Sequence, residues 1–249
     1  MNIINAPCET CESKNCFIQK LSHEQLSCVD SQKQTFSFFR NQNIFWENAA
    51  VNGVYFIKTG KVKVFSMGIN DREKIVRLAS DGHIIGHRGY GAEKYPVSAA
   101  TLDKSLVCFI DNATLHELFM NNPVFSYAMM MFYSQELRKS EQRAKYNSQM
   151  SSRERIISAL LYAKETFGYS DTEAFPPTIN VHLSRAEIAS LSDTTKEEVS
   201  RSLTVLERDN LIMKTGRSIQ ILNEKQLLHL IKDYGIYMVD EEKKQLNPL

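Results

Sequence analysis

The spacing of hydrophobic residues changes character along the chain. From Phe36 to about Ile110, short runs of Val, Ile, Phe and Tyr alternate with turn residues, as in Val54–Phe65 and Lys74–Leu78. Gly53, Gly60, Gly68, Gly82, Gly86, Gly89 and Gly91 punctuate them. Many short strands so spaced predict an antiparallel roll or barrel. Pro123 then opens a helical stretch to about Met150 with no internal Gly or Pro. Along it Met130, Tyr133, Leu137 and Ala144 recur at three, four and seven residues. That is the seam of a coiled coil, and it predicts a dimer helix. The competing reading is a helix buried on its own domain. Ser126 and Ser140 fall near the seam and weaken it, while Met131 and Phe132 lie elsewhere on the helix and can face the roll.

At the two ends the pattern is different. Residues 1–20 are polar and rich in cysteine, with little periodicity, and Ser22 is placed to cap a short helix over Leu21–Val29. Ser151-Ser-Arg-Glu154 is a capping box that starts a helix to about Phe167. A loop over 168–177 and a short strand over Ile179–Leu183 follow. Ser184-Arg-Ala-Glu187 opens another helix through Leu191, and Ser192–Thr195 is a tight polar connection. A second helix runs from Lys196 to about Asp209, with Val199, Leu203 and Leu206 inward. Leu211–Leu222 reads as a hairpin turning at Thr215-Gly216. Two short helices, a tight turn and a hairpin predict a winged helix-turn-helix. The expected fold is therefore α+β. A cysteine-rich arm (1–20) precedes a β-roll sensor domain (21–121) and a dimerisation helix (122–150). A winged-helix DNA-binding domain (151–228) and a tail (229–249) complete it.

The second helix of the pair would present its first turns to a major groove. Glu197, Ser200 and Arg201 lie at i, i+3 and i+4, so they share a face. Arg can pair bidentately with guanine, Glu can accept from the cytosine amino group, and Ser can reach a base edge. Lys196, Lys214 and Arg217 suit phosphates. Charged residues at this spacing usually form only a solvated face; the capped two-helix frame with a wing favours DNA.

Composition narrows the choices. The chain has 249 residues, 43% hydrophobic and 24% charged, with a formal net charge of +1, so any basic surface must be local. No apolar run is long enough to span a bilayer, and no secretory leader is apparent, so a cytoplasmic protein is expected. No nucleophile–base set, phosphate loop or metallohydrolase motif stands out, which argues against an enzyme. Of the five cysteines, Cys8, Cys11 and Cys16 fall within nine residues. In a cytosolic protein this reads as metal or cluster ligands, or as redox thiols. Cys28, near Leu21, Leu26 and Val29, reads as a small buried hydrophobe. The six histidines are scattered and are not read as ligands.

Roll, long helix and winged helix, in that order, resemble the cyclic-AMP receptor protein/FNR family of bacterial regulators over nearly the whole chain. Glu197-Glu-Val-Ser200-Arg201 is similar to the FNR branch, whose Glu-x-x-Ser-Arg reads TTGAT-like half-sites. The resemblance implies a homodimer on an inverted-repeat operator, with RNA polymerase as a further partner. It also implies a [4Fe–4S] cluster held by Cys8, Cys11, Cys16 and Cys108, the last within Ser105-Leu-Val-Cys108-Phe-Ile. Two departures stand out. Four residues separate Cys11 from Cys16 where the best-known FNR proteins have five, and Glu12 puts an anion beside the site. A cyclic nucleotide is not expected. The receptor-protein branch has Gly-Glu and then Arg-Ser-Ala, whereas this chain has Gly86-His87-Arg88 and Val97-Ser98-Ala99. The reading is an oxygen-responsive transcription activator. Its rivals are a regulator of the same fold that senses nitric oxide, thiol redox state or a small molecule, and a ligand-binding or protein-interaction module that leaves DNA alone.

Overall fold

The computed structural model describes residues 2–4, 6–13, 15–170, 176–231 and 234. The chain divides into two compact units, 1–133 and 134–249.

In the first unit, β1 (Asn2–Ile3) leads through a 3-10 helix (Phe17–Lys20) to α1 (His23–Gln32). Strands β2 (Gln34–Phe38), β3 (Asn43–Phe45), β4 (Gly53–Thr59), β5 (Val62–Met67), β6 (Glu73–Ala79), β7 (Ile84–Ile85), β8 (Ser98–Thr101) and β9 (Ser105–Asp111) follow. They form two antiparallel sheets, ordered β1-β2-β9-β4-β7 and β3-β8-β5-β6, which is the expected β-roll. One core, including Phe36, Phe38, Phe45, Val64, Ile85 and Val107, fills the roll. A second core joins the arm, α1, the outer face of β4 and β9, and the following helices α2 (Asn112–Asn121) and α3 (Pro123–Asn147). Cys8, Ile18, Leu21, Val29, Phe56, Ile110 and Phe125 all belong to it. The arm is thus folded onto the roll. Its first residues pair with β2, Asn2 opposite Ser37 and Ile3 opposite Phe36, a strand that its composition did not announce.

Local signals account for the helix starts. Ser22 caps α1 in a reciprocal box with Gln25, and Asp111 caps α2 by accepting the Thr114 N–H. In the second unit, Ser151 with Glu154 caps α4 (Ser152–Phe167), and Ser184 with Glu187 caps α5 (Arg185–Leu191). There α6 (Lys196–Arg208) buries Val199, Leu203 and Leu206 as expected, adding Ser202. The wing is β10 (Ile212–Thr215) paired with β11 (Ser218–Ile221), followed by α7 (Glu224–Leu230).

Three local expectations need correction. Thr215 pairs with Ser218, so the hairpin turns at Gly216-Arg217, where Gly216 supplies a φ of 61°. Instead of a strand over Ile179–Leu183, only isolated bridges form, Ile179 with Tyr169 and Thr178 with Gln220. Cys28 is exposed rather than buried. It lies next to Val29, and one residue along a helix is a rotation of about 100° away from the buried face. Most of the expected tail lies outside the described residues.

Candidate functional site

The arm is built from short turns. Cys11 N–H donates to the Cys8 carbonyl at 3.1 Å, and Cys16 N–H to that of Ser13 at 3.1 Å. Cys16 immediately precedes the 3-10 helix. Cys108 comes from elsewhere, the middle of β9, opposite Thr35 of β2 and Phe56 of β4. The four cysteines nevertheless line one cavity, together with Ser13, Gln19, Lys33, Lys58 and apolar side chains. No carboxylate or imidazole is among the lining residues, and the Ser13 Oγ is buried with no hydrogen-bond partner. Among the described residues, no three His, Cys, Asp or Glu side chains are gathered about a single ion position. The donor set is all sulfur, which suits soft metals and iron–sulfur clusters in kind.

Burial governs three of the four thiols, Cys8, Cys16 and Cys108. It pushes Cys8 up to about 12, with the Asp30 carboxylate adding to the effect. It pushes Cys16 up to about 11 and raises Cys108, whose Sγ shares a 3.4 Å hydrogen bond with the Thr35 hydroxyl. As free thiols they hold their protons, so any metal they bind must displace them.

In the second unit, the α5–α6 connection is tight because Asp193 takes a left-handed φ of 52°. Sequence reasoning missed the residue that pins this turn. From α4, Arg155 donates through Nε to the Ser192 carbonyl (3.0 Å) and through Nη2 to the Asp193 carbonyl (3.3 Å). Its Nη1 donates to the Met150 carbonyl (2.9 Å). Only the three-dimensional register reveals it, since an Arg in the first turn of a helix carries no signal of its own. Thr195 caps α6 by accepting the Glu198 N–H at 3.2 Å.

On α6, Lys196, Glu197 and Arg201 are exposed and Ser200 is half-buried. The Glu197 carboxyl lies below its usual range through its own N–H and the Thr195 hydroxyl. Arg201 donates to Glu198 Oε2 at 2.6 Å, and the Ser200 hydroxyl to the Lys196 carbonyl at 2.9 Å. In the wing, Arg217 is exposed at the turn, whereas Lys214 is half-buried and paired with Glu207 at 2.8 Å. Of the expected phosphate contacts, Lys214 is therefore the one already engaged.

Residues 35–122 match the family of cyclic nucleotide-binding domains, and residues 154–230 match the Crp-like helix-turn-helix domain. The transcriptional activator protein Anr of Pseudomonas protegens is 27% identical over 230 residues, covering 90% of this chain and 92% of that one. The fumarate and nitrate reduction regulatory protein of Vibrio cholerae is 24% identical over 227 residues, covering 90% and 89%. Among solved structures, FixK2 from Bradyrhizobium japonicum superposes with a TM-score of 0.69 at 20% identity, over 80% of this chain and 96% of that one. The chain belongs to the cyclic-AMP receptor protein/FNR family. It is a DNA-binding transcription regulator and not an enzyme. Members of the family bind DNA as dimers.

Family membership gives meaning to two further places. Where the receptor-protein branch would bind a nucleotide, Val97 is part of the core that fills the roll and His87 is buried. Neither His87 ring nitrogen makes a well-formed hydrogen bond; burial first, then Arg77 and Arg88, lowers its pKa to about 3 against a smaller upward pull from the Ile84 backbone. On α3, the expected seam divides. Met130, Leu137 and Ala144 are exposed, but Tyr133 is half-buried against the roll and donates its hydroxyl to the His87 carbonyl at 2.9 Å. Val124 and Tyr127, 67% and 62% exposed, extend the apolar exposure toward the helix start. Among the described residues no helix is long and apolar enough to cross a membrane.

Proposed function

We propose that this regulator responds to oxygen through a [4Fe–4S] cluster held by Cys8, Cys11, Cys16 and Cys108. The observation that carries the reading is the one cavity that all four of these cysteines line, while the fifth cysteine, Cys28, is exposed outside it. Three ligands would come from the arm and one from the central strand β9. When bound, the cluster would supply oxygen-labile redox chemistry.

The chain's own part is mechanical. Cysteines tied to a common centre would hold the arm against β9 and, through the second core, against α3. Met130, Leu137 and Ala144 would then pair with a second copy, Tyr133 staying on the roll side. Release of the arm would shift the population toward monomer, a coupling between the sulfur site and the interface. Glu197, Ser200 and Arg201 would read TTGAT-like half-sites of an inverted repeat, with Lys196, Arg217 and, after leaving Glu207, Lys214 on phosphates. RNA polymerase is the expected further partner and activation the expected outcome, with no cyclic nucleotide required. The proposed working parts are the arm (1–20), roll (21–121), dimer helix (122–150), DNA-binding domain (151–228) and tail (229–249).

The test is iron and acid-labile sulfide in anaerobically purified protein, followed by its absorption spectrum on exposure to air. Ser replacement of any of the four cysteines should lower iron and cluster absorbance, and Cys28→Ser should leave both unchanged. Bound zinc without iron, in protein never exposed to air, would overturn the reading. A gel shift on an inverted-repeat probe tests the DNA assignment.

A further inference from the structure

The C-terminal end of α1 carries an acid in its last turn, Asp30, and a base at its C-cap, Lys33, and both turn toward the arm. Both Asp30 carboxylate oxygens accept the Cys8 backbone N–H, each at 2.9 Å. Lys33, three residues on, donates its ammonium to Asp30 Oδ1 and to the Ala6 carbonyl, the latter at 2.8 Å. The Lys33 side chain is only 5% exposed and that of Asp30 19%, so the pair is largely out of water. Gln19 Nε2 closes the arrangement by donating to the Cys8 carbonyl at 2.8 Å. Residues 6–8 are therefore fastened through backbone groups, independently of any sulfur ligand. Lys33 also lines the sulfur cavity, as does Lys58.

We propose that Asp30 and Lys33 form a clamp that seats the arm before any metal arrives, and that Lys33 is a positioning residue placing positive charge beside the four sulfurs. The geometry separates two jobs. Asp30 grips the N–H of the first ligand and so fixes where Cys8 can sit. Lys33 neutralises Asp30, which would otherwise leave an anion against a site that becomes negative once its thiols ionise. A desolvated pair of this kind fails when one partner is removed, because the other is left buried and unpaired. The second job rests on the proposed cluster and the first does not.

The clamp is tested in metal-free, reduced, full-length protein. Asp30→Asn should speed iodoacetamide alkylation of Cys8 at least tenfold while leaving the exposed Cys28, on the same helix, at its wild-type rate. Asp30→Asn and Lys33→Met should both accelerate glutamyl-endoprotease cleavage at Glu9 and Glu12, and Lys33→Arg should restore protection. Unchanged alkylation and cleavage in both variants would overturn the clamp whether or not iron binds. If they change as expected in a protein that takes up no iron, the clamp stands and the cluster assignment falls. In iron-loaded protein, Lys33→Met should lower the reduction midpoint, with Lys33→Arg near wild type. An unmoved midpoint in Lys33→Met would overturn the charge role.

Discussion

The rings of Phe17 and Phe132 meet edge to face, with centroids 5.4 Å apart and planes inclined at 65°. Phe17 follows Cys16 directly, and Phe132 lies on α3 two residues past Met130, so the contact links the sulfur-bearing arm to the helix expected to pair. Phe132 also touches His87 edge-on at 4.9 Å and lies under the Arg77 guanidinium at 5.8 Å. Removing one ring forfeits about 0.5–1.5 kcal/mol of aromatic contact beyond area burial. Phe17→Ala should leave cluster loading near wild type but weaken the loaded dimer by about 2- to 10-fold in sedimentation, the equivalent of that energy. Dimer affinity that still follows loading to the wild-type extent would remove this contact from the coupling.

Arg201 should carry sequence discrimination. Its salt bridge to Glu198 is on an exposed side chain, and such pairs are worth about 0.2–1 kcal/mol, less than a bidentate base contact at about 1–3 kcal/mol. Arg201→Ala should therefore cost about 1–3 kcal/mol of specific binding with little change in non-specific binding at the same salt. Equal operator affinity in a titrated gel shift would show that Arg201 does not read a base.

Arg155 should matter to DNA binding without touching DNA. Two of its hydrogen bonds to carbonyls hold the α5–α6 turn and a third holds the residue ahead of α4, and hydrogen bonds from a charged group contribute about 1.5–3 kcal/mol each. Arg155→Ala should lower the Tm of the DNA-binding unit by several degrees and weaken operator binding. Arg155→Lys should recover only part, since one ammonium cannot reproduce the guanidinium fork. Full recovery by Lys would contradict the geometric role.

Leu137 is 62% exposed and carries little of the fold, so replacing it should act on assembly alone. Leu137→Glu would set two carboxylates near each other across a two-fold seam. Analytical ultracentrifugation should then report monomer, with an unchanged circular dichroism spectrum. A dimer of wild-type affinity would move the interface off this face.

His87 should make the roll acid-sensitive. Its folded pKa is depressed from 6.5 to about 3, so between these values the unfolded chain binds a proton that the folded chain excludes. Stability from this group is full above about pH 6.5 and is lost progressively as pH falls toward 3. Arg77 and Arg88 reinforce the exclusion, and Phe132 and Tyr133 of α3 pack on the ring. His87→Leu should flatten the fall in Tm between pH 6.5 and pH 4 relative to wild type. Parallel Tm curves would show that the ring protonates without penalty.

Local chemistry was readable in the sequence wherever it acts over a few residues. Ser22, Ser151 and Ser184 start helices through side chains that reach three positions along, and the inward face of α6 follows from Val199, Leu203 and Leu206 alone. Long-range polar contacts were not readable. Nothing about Asp30 or Arg155 sets them apart from other charges until folding brings Cys8, 22 residues earlier, and Ser192, 37 residues later, within reach. Tyr133 illustrates a different limit. A spacing of three and four describes a stripe, and on a helix covered along one side two such stripes run side by side. Only packing on His87 decides that Tyr133 belongs to the covered one.

Cys108 and the other three cavity cysteines stand on very different ground. Cys108 is paired on both sides, to Thr35 and to Phe56, at the centre of a five-stranded sheet, so it cannot shift without dismantling the roll. Cys8, Cys11 and Cys16 ride on a single N-terminal segment whose spacing can lengthen or shorten without disturbing a strand. On the proposed reading, the scaffold is fixed by its strand pairing and the trigger is editable. An insertion between Cys11 and Cys16, or a neutral residue in place of Glu12, could retune the response in one step while the roll, long helix and reading head keep their form.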